Sequence, residues 1–194
     1  IKEVAEMTDP AAVIIVVQSL IKDVTSSAEP VDYFRAAALR TLVRIVDGNM
    51  LGQLDRYMRQ VLVDKSPLVA SSALTSGLFL LRQSGTAEVV RKWVGEIQTA
   101  LSADAEMVQF HALCLLHSIK HGDRLGVSRL IQQLMRHGGP RSALPMTMLV
   151  RFTMRLIRTD PEAIDVAEAY SFLEKATRHT SDIVRYEAAR AICS

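Results

Sequence analysis

The stretch 107-MVQFHALCLLHSI-119 decides the fold once it is set against 33-YFRAAALRTLVRI-45, 68-LVASSALTSGLFL-80 and 183-IVRYEAARAIC-193. In each, an apolar or aromatic pair is followed, four residues after its second member, by alanine: Ala112, Ala38, Ala73 and Ala188. Along the chain these alanines are separated by 35, 39 and 76 residues, the last being twice 38. A weaker unit, 141-RSALPMTMLVRFTMRLIR-158, fills that gap with Val150 in the alanine position. Helix-starting residues precede the pairs: Asp32, Pro67, Glu106 and Asp182. Acids suit the positive end of the helix dipole, and proline is tolerated in the first turn. Ser66 and Ser181 are placed to cap two of these helices. A small residue at a fixed position lets two helix backbones approach closely, where a larger one would overpack.

Between these units lie partner stripes, 10-PAAVIIVVQSLIKDV-24, 50-MLGQLDRYMRQVLVD-64, 86-TAEVVRKWVGEIQTAL-101, 123-DRLGVSRLIQQLMRH-137 and 161-PEAIDVAEAYSFLEKAT-177. In the fourth, Val127, Leu130, Ile131, Leu134 and Met135 fall on one helical face. Gly138 follows as a C-cap, with Arg136 and His137 suited to the negative helix end. Strand patterns are nearly absent. Helix pairs recurring every 35–40 residues predict an all-α fold, an α-solenoid of HEAT/armadillo-like helix pairs. Each pair is too small to bury its own face and is stabilised by stacking on its neighbours. Residues 1–194 are expected to form a single solenoid fragment of about five helix pairs.

Composition fits this. Of 194 residues, 49% are apolar and 23% charged, a globular balance. A net charge of +2 with scattered basic residues gives no footprint for nucleic acid or an anionic membrane. The two cysteines provide no disulfide framework and suit a reducing compartment. The longest apolar run, 10-PAAVIIVV-17, is far short of the ~20 residues that span a bilayer. The opening 1-IKEVAEM-7 has no leader pattern, and Ser194 falls inside a helical pattern. A fragment of something longer is expected.

His111, Cys114, His117 and His121 fall within an arc of about 120° on one helix, and imidazole and thiolate are zinc's preferred ligands. Sister repeats, however, place Ala37, Ser72 and Glu187 where His111 stands, and Arg40, Thr75 and Arg190 where Cys114 stands. Val43 and Leu78 match His117. The architecture therefore asks for no metal, and no cofactor is expected. Nor is there a glycine-rich phosphate loop, a nucleophile elbow or an H-E-x-x-H pair. Asp160 and Glu162 sit at a helix start, where capping accounts for them. Trp93 and the tyrosines are dispersed, which gives no stacking platform for nucleic acid. The expected role is non-enzymatic protein binding.

The wording of the repeats adds a resemblance. The stretches 50-MLGQLDRYMRQVLVDKSPLVASSALTSGL-78, 90-VRKWVGEIQTALS-102 and 106-EMVQFHALCLLHSIKHGDRLGVSRLI-131 resemble the adaptin-like trunk of coatomer gamma subunits, from the COPI vesicle coat. So do the opening IKE, 13-VIIVVQSLIKD-23, 136-RHG-138 and 183-IVRYEAARAI-192. The resemblance implies a non-catalytic cytoplasmic scaffold that holds the coatomer zeta subunit, meets other coatomer subunits and docks an Arf-family small GTPase in its GTP form. It implies recruitment to Golgi membranes and COPI vesicles through partners, with membrane contact only indirect. Transport from Golgi to endoplasmic reticulum and within the Golgi would be the outcome. A different HEAT-type scaffold or a karyopherin-like carrier would share the periodicity without these words. A carrier would also be expected to show acidic inner faces, whereas this chain carries slightly more base than acid.

The run VIIVV marks the expected docking helix. Aligning Asp23 with Asp64 places Ile14 over Asp55, Ile15 over Arg56 and Val17 over Met58. On that register Val13, Val16 and Leu20 match the expected core residues Leu54, Tyr57 and Val61. Ile14 and Val17 are then surplus apolar surface, unless a preceding repeat covers them. In related adaptin trunks the resemblance puts an Arf-contacting apolar pair, spaced i and i+3, in this helix. Here that pair is Ile14 and Val17, with Asp55 and Met58 in the equivalent positions one repeat later.

Overall fold

Every regular element among the described residues is a helix, as the repeat pattern requires. A computed structural model describes residues 9–26 and 32–193; 1-IKEVAEM-7, the opening IKE included, and Ser194 lie outside the described residues. The chain divides into two compact units, Ile1–Ser102 and Ala103–Ser194. The first contains α1 (Pro10–Thr25), α2 (Asp32–Ile45), α3 (Gly48–Leu62), α4 (Pro67–Leu81), α5 (Ala87–Arg91) and α6 (Val94–Leu101). The second contains α7 (Glu106–Lys120), α8 (Arg124–Arg136), α9 (Ala143–Thr159), a short 3-10 turn (Pro161–Ala163), α10 (Val166–Ala176) and α11 (Asp182–Cys193).

Inside each unit the packing is that of HEAT/armadillo-like repeats. The helices carrying the alanine position stack on one another, α2 on α4 in the first unit and α7 on α9 on α11 in the second. The partner helices lean against their own pair mates: α1 on α2, α3 on α4, α8 on α9 and α10 on α11. Helices begin at Asp32, Pro67, Glu106 and Asp182, the residues that the sequence marks as starts. Ala38, Ala73, Ala112, Val150 and Ala188 are all buried. The position is a packing contact.

Three local expectations change. Ser66 stands at the N-cap of α4, but its side chain makes no capping bond. Asp64 organises that turn instead, accepting the Ser66 N–H at 2.9 Å and pairing with Arg35. The segment 86–101 is not one helix. Backbone N–H groups of Lys92 and Trp93 donate three residues back, to Val89 and Val90, and this tightening separates α5 from α6. The Trp93 ring lies fully in the core, on the face it shares with Val90, Ile97 and Ala100. Finally, Asp160 is not explained by capping. It makes no side-chain cap bond and instead pairs with Arg124 at 3.0 Å, while Asp165 caps α10 through the Glu168 N–H. The 3-10 turn is fastened to α8, where Ser128 and Gln132 donate to the Ala163 carbonyl.

Two glycine joints matter. Gly138 and Gly139 both adopt φ +80°, the left-handed conformation that ends α8 as expected. Their N–H groups donate to the Met135 and Leu134 carbonyls, with Arg136 on Glu168 and His137 on the Gln133 carbonyl nearby. Gly48 is the first residue of α3. A Cβ there would be driven into the backbone carbonyl of Gly85.

Candidate functional site

Helix α1 starts where Asp9 accepts the Ala11 N–H at 3.1 Å and Pro10 occupies the first turn. Its inner face runs through Val13, Val17, Leu20 and Val24, at the i, i+4, i+7, i+11 spacing of a helix lying along a single partner. That partner is α2. Val17 is only 8% exposed, so its expected place on the surface is not found. Val16, expected in the core, is 48% exposed. Ile14 is outward at 47%, as expected, and Ile15 reaches 68%. The accessible apolar strip is therefore Ile14, Ile15 and Val16. A run with apolar side chains at every position carries no phase of its own, and contact with α2 selects the buried side.

The register between α1 and α3 nevertheless holds. Met58, over Val17, is 2% exposed, while Tyr57, over Val16, is 42% exposed. Leu54 and Val61 are core residues as expected, but Tyr57 is not. Met58 is thus closed to a partner. Asp55, equivalent to Ile14, is not a free solvent-facing acid either. It is half-buried, and its Oδ1 accepts the indole N–H of Trp93 at 2.6 Å. Its Oδ2 accepts Arg59 Nε at 2.7 Å, and Arg59 reaches on to both oxygens of Glu96 at 3.0 and 3.1 Å. Burial pushes the Asp55 carboxyl up, but the bonds from Trp93 and Arg59 outweigh it and hold the pKa below the usual carboxylate range. Asp55 ties α3 to the start of α6. The sequence signal for this was the chain's one tryptophan, whose indole N–H needs an acceptor when buried.

The histidine-rich helix α7 divides by environment. His117 is buried and stacks on Phe152 of α9, ring centroids 3.7 Å apart and planes within 6°. Burial chiefly, helped by His121 and the Arg155 charge, lowers its pKa to about 4, so the ring is neutral at pH 7. His121 is exposed and meets His117 edge-on. Burial lowers the pKa of half-buried His111, whose ring sits edge-on to Phe110, and raises that of the Cys114 thiol. Among the described residues no group of three or more His, Cys, Asp or Glu side chains converges as metal ligands do.

At the position of His111 and Cys114, neighbouring repeats form polar rungs. Arg40 donates to the Ser72 hydroxyl at 3.1 Å, and Glu187 holds both Arg151 and Arg190. Burial raises the Glu187 pKa, but these two arginines outweigh it and leave the carboxyl below its usual range. No helix among the described residues is long and apolar enough to cross a membrane.

Stacked helix pairs, a recurrent alanine contact and polar rungs between repeats define a helical-repeat protein of the HEAT/armadillo type. Comparison with known sequences narrows this. The profile of the adaptin N-terminal region matches residues 1–194, and the chain belongs to that family. It is similar to coatomer subunit gamma of Arabidopsis thaliana, 45% identical over 99% of this chain and 21% of that protein. Coatomer subunit gamma-2 of Oryza sativa subsp. japonica is also 45% identical over 99% of this chain and 21% of its own length. A probable coatomer subunit gamma of Caenorhabditis elegans is 43% identical over 100% of this chain and 21% of its own. The chain spans about a fifth of the length of these relatives.

Proposed function

We propose that this chain is part of the trunk of a coatomer gamma subunit, a non-catalytic scaffold of the COPI vesicle coat. The observation that carries the reading is similarity to coatomer gamma subunits along the whole chain, 45% identity over 194 residues in the plant relative. In this reading both compact units belong to one longer trunk. The trunk holds the zeta subunit, meets other coatomer subunits and reaches Golgi membranes from the cytoplasm through its partners. Its GTPase contact lies on α1 and is centred on Ile14, with Ile15 and Val16 in place of the buried Val17 and Met58. An apolar strip without charge suits the switch regions of an Arf-family GTPase, which GTP orders and hydrolysis releases.

The test is retention of the chain on an immobilised Arf-family protein loaded with GTP or with GDP. Retention by the GTP form alone, lost in Ile14→Asp with helical circular dichroism intact, is the expected result. Equal retention by both nucleotide forms would overturn the GTPase contact.

A further inference from the structure

In the second unit, helices α7, α8 and α9 leave an open cavity of about 250 Å³ that the proposed GTPase contact does not use. Its floor is apolar, made by Val127 of α8 with Phe152 and Leu156 of α9. The flat His117 ring, stacked on Phe152 and neutral at pH 7, extends that floor and brings no charge. Charged groups line it as well. Arg124 is already answered by Asp160 at 3.0 Å. Arg155, among the described residues, has no carboxylate partner. Its charge is close enough to depress His117. His121, exposed at the mouth, adds a further polar group.

One uncompensated guanidinium above an apolar floor fits a carboxylate joined to an apolar side chain. Guanidinium and carboxylate meet through paired, charge-assisted hydrogen bonds, and the apolar group takes the floor. Size decides what kind of molecule carries them. The volume lies below the ~300–1,000 Å³ of sites that enclose a drug-sized ligand or cofactor, and is suited to one residue of a peptide.

We propose that this cavity is a peptide-docking pocket, in which Arg155 receives a carboxylate and the Val127–Phe152–Leu156 floor receives the apolar side chain beside it. The carboxylate is the C-terminus of a partner that ends in an apolar residue, since a cavity of this volume takes one residue and an internal acid beside the apolar side chain would be a second. The pocket is independent of α1, so loss of the GTPase contact leaves it intact.

The test is a nuclear magnetic resonance titration of the full 194-residue chain, following the Val127 and Leu156 methyls and the His121 ring. The probes are N-acetyl-leucine, its uncharged amide, and N-acetyl-aspartyl-leucinamide. Saturable shifts with N-acetyl-leucine and none with its amide are expected, and N-acetyl-aspartyl-leucinamide, whose acid sits on a second residue, should bind more weakly. Arg155→Glu should weaken binding about tenfold or more, and Arg155→Lys should restore part of it. Circular dichroism confirms that both variants are folded. Four results would overturn the proposal: no shift with N-acetyl-leucine, equal shifts with its amide, tighter binding of N-acetyl-aspartyl-leucinamide, or binding indifferent to Arg155→Glu. Stronger shifts with inorganic phosphate than with either acid would replace the carboxylate reading.

Discussion

Helices α1 and α3 share one register, yet the same position is bare in one and engaged in the other. At Ile14 the side chain is half open to solvent, whereas Asp55 is bound by Trp93 and Arg59 and so reaches the next helix pair. Repeat identity therefore fixes which side of a helix is buried, and not what the outer side is for. One outer side is built into the fold; the other is open to solvent.

Exchanging the two side chains breaks this comparison most directly. Ile14→Asp should weaken binding to a GTP-loaded Arf-family protein by about 3 kcal/mol, on the order of a hundredfold in Kd, because it sets an unpaired carboxylate against apolar groups. Titration calorimetry measures that loss. Thermal unfolding of the same variant should change by less than about 0.5 kcal/mol, as for an outward side chain. A large drop in Tm would place Ile14 in the core.

The alanine position should behave in the opposite way, intolerant in every repeat. Ala112→Leu is expected to cost about 1–3 kcal/mol by overpacking, measured by denaturant unfolding, while His111→Ala beside it costs little. Asp55→Ile, the reciprocal exchange, should cost about 1–2 kcal/mol by orphaning the buried Trp93 N–H. If it costs nothing, the contrast between the two helices is only one of exposure.

The smallest effect concerns His117. Its folded pKa of about 4 lies below the usual 6.5, so the unfolded chain binds more protons between those values. Its contribution is complete above pH 6.5 and lost as pH falls toward 4. Asp55 and Glu187 act lower, losing their contribution as pH falls below ordinary carboxylate values through their depressed ones. His117→Leu, which copies Leu78 of the earlier repeat, should flatten only the upper part of the stability profile.

Positions governed by periodicity were legible in the sequence. The helix starts and the alanine contact follow from spacing alone, and the structure places them where spacing does. The outward side of α1 was legible only in part, because a run of five aliphatic residues contains no polar marker of phase. The same reading placed Ile14 outward, where it is, and Val17 outward, where it is not. The partner of Trp93 was hidden for a different reason: its indole finds Asp55, 38 residues away, and local pattern does not see that distance. The α7–α9 cavity was hidden likewise, since His117 could be placed in its repeat but not against Phe152.

Where Gly48 meets Gly85, two neighbouring helix pairs of the first unit touch main chain to main chain. Side-chain contacts have rotamers and can give way by small amounts; bare peptide planes cannot. The joint works like a shim of fixed thickness. Its clearance is set by the bulk of a carbonyl group, and substitutions in the surrounding core can alter how firmly the pairs are held without altering how closely they sit at this point.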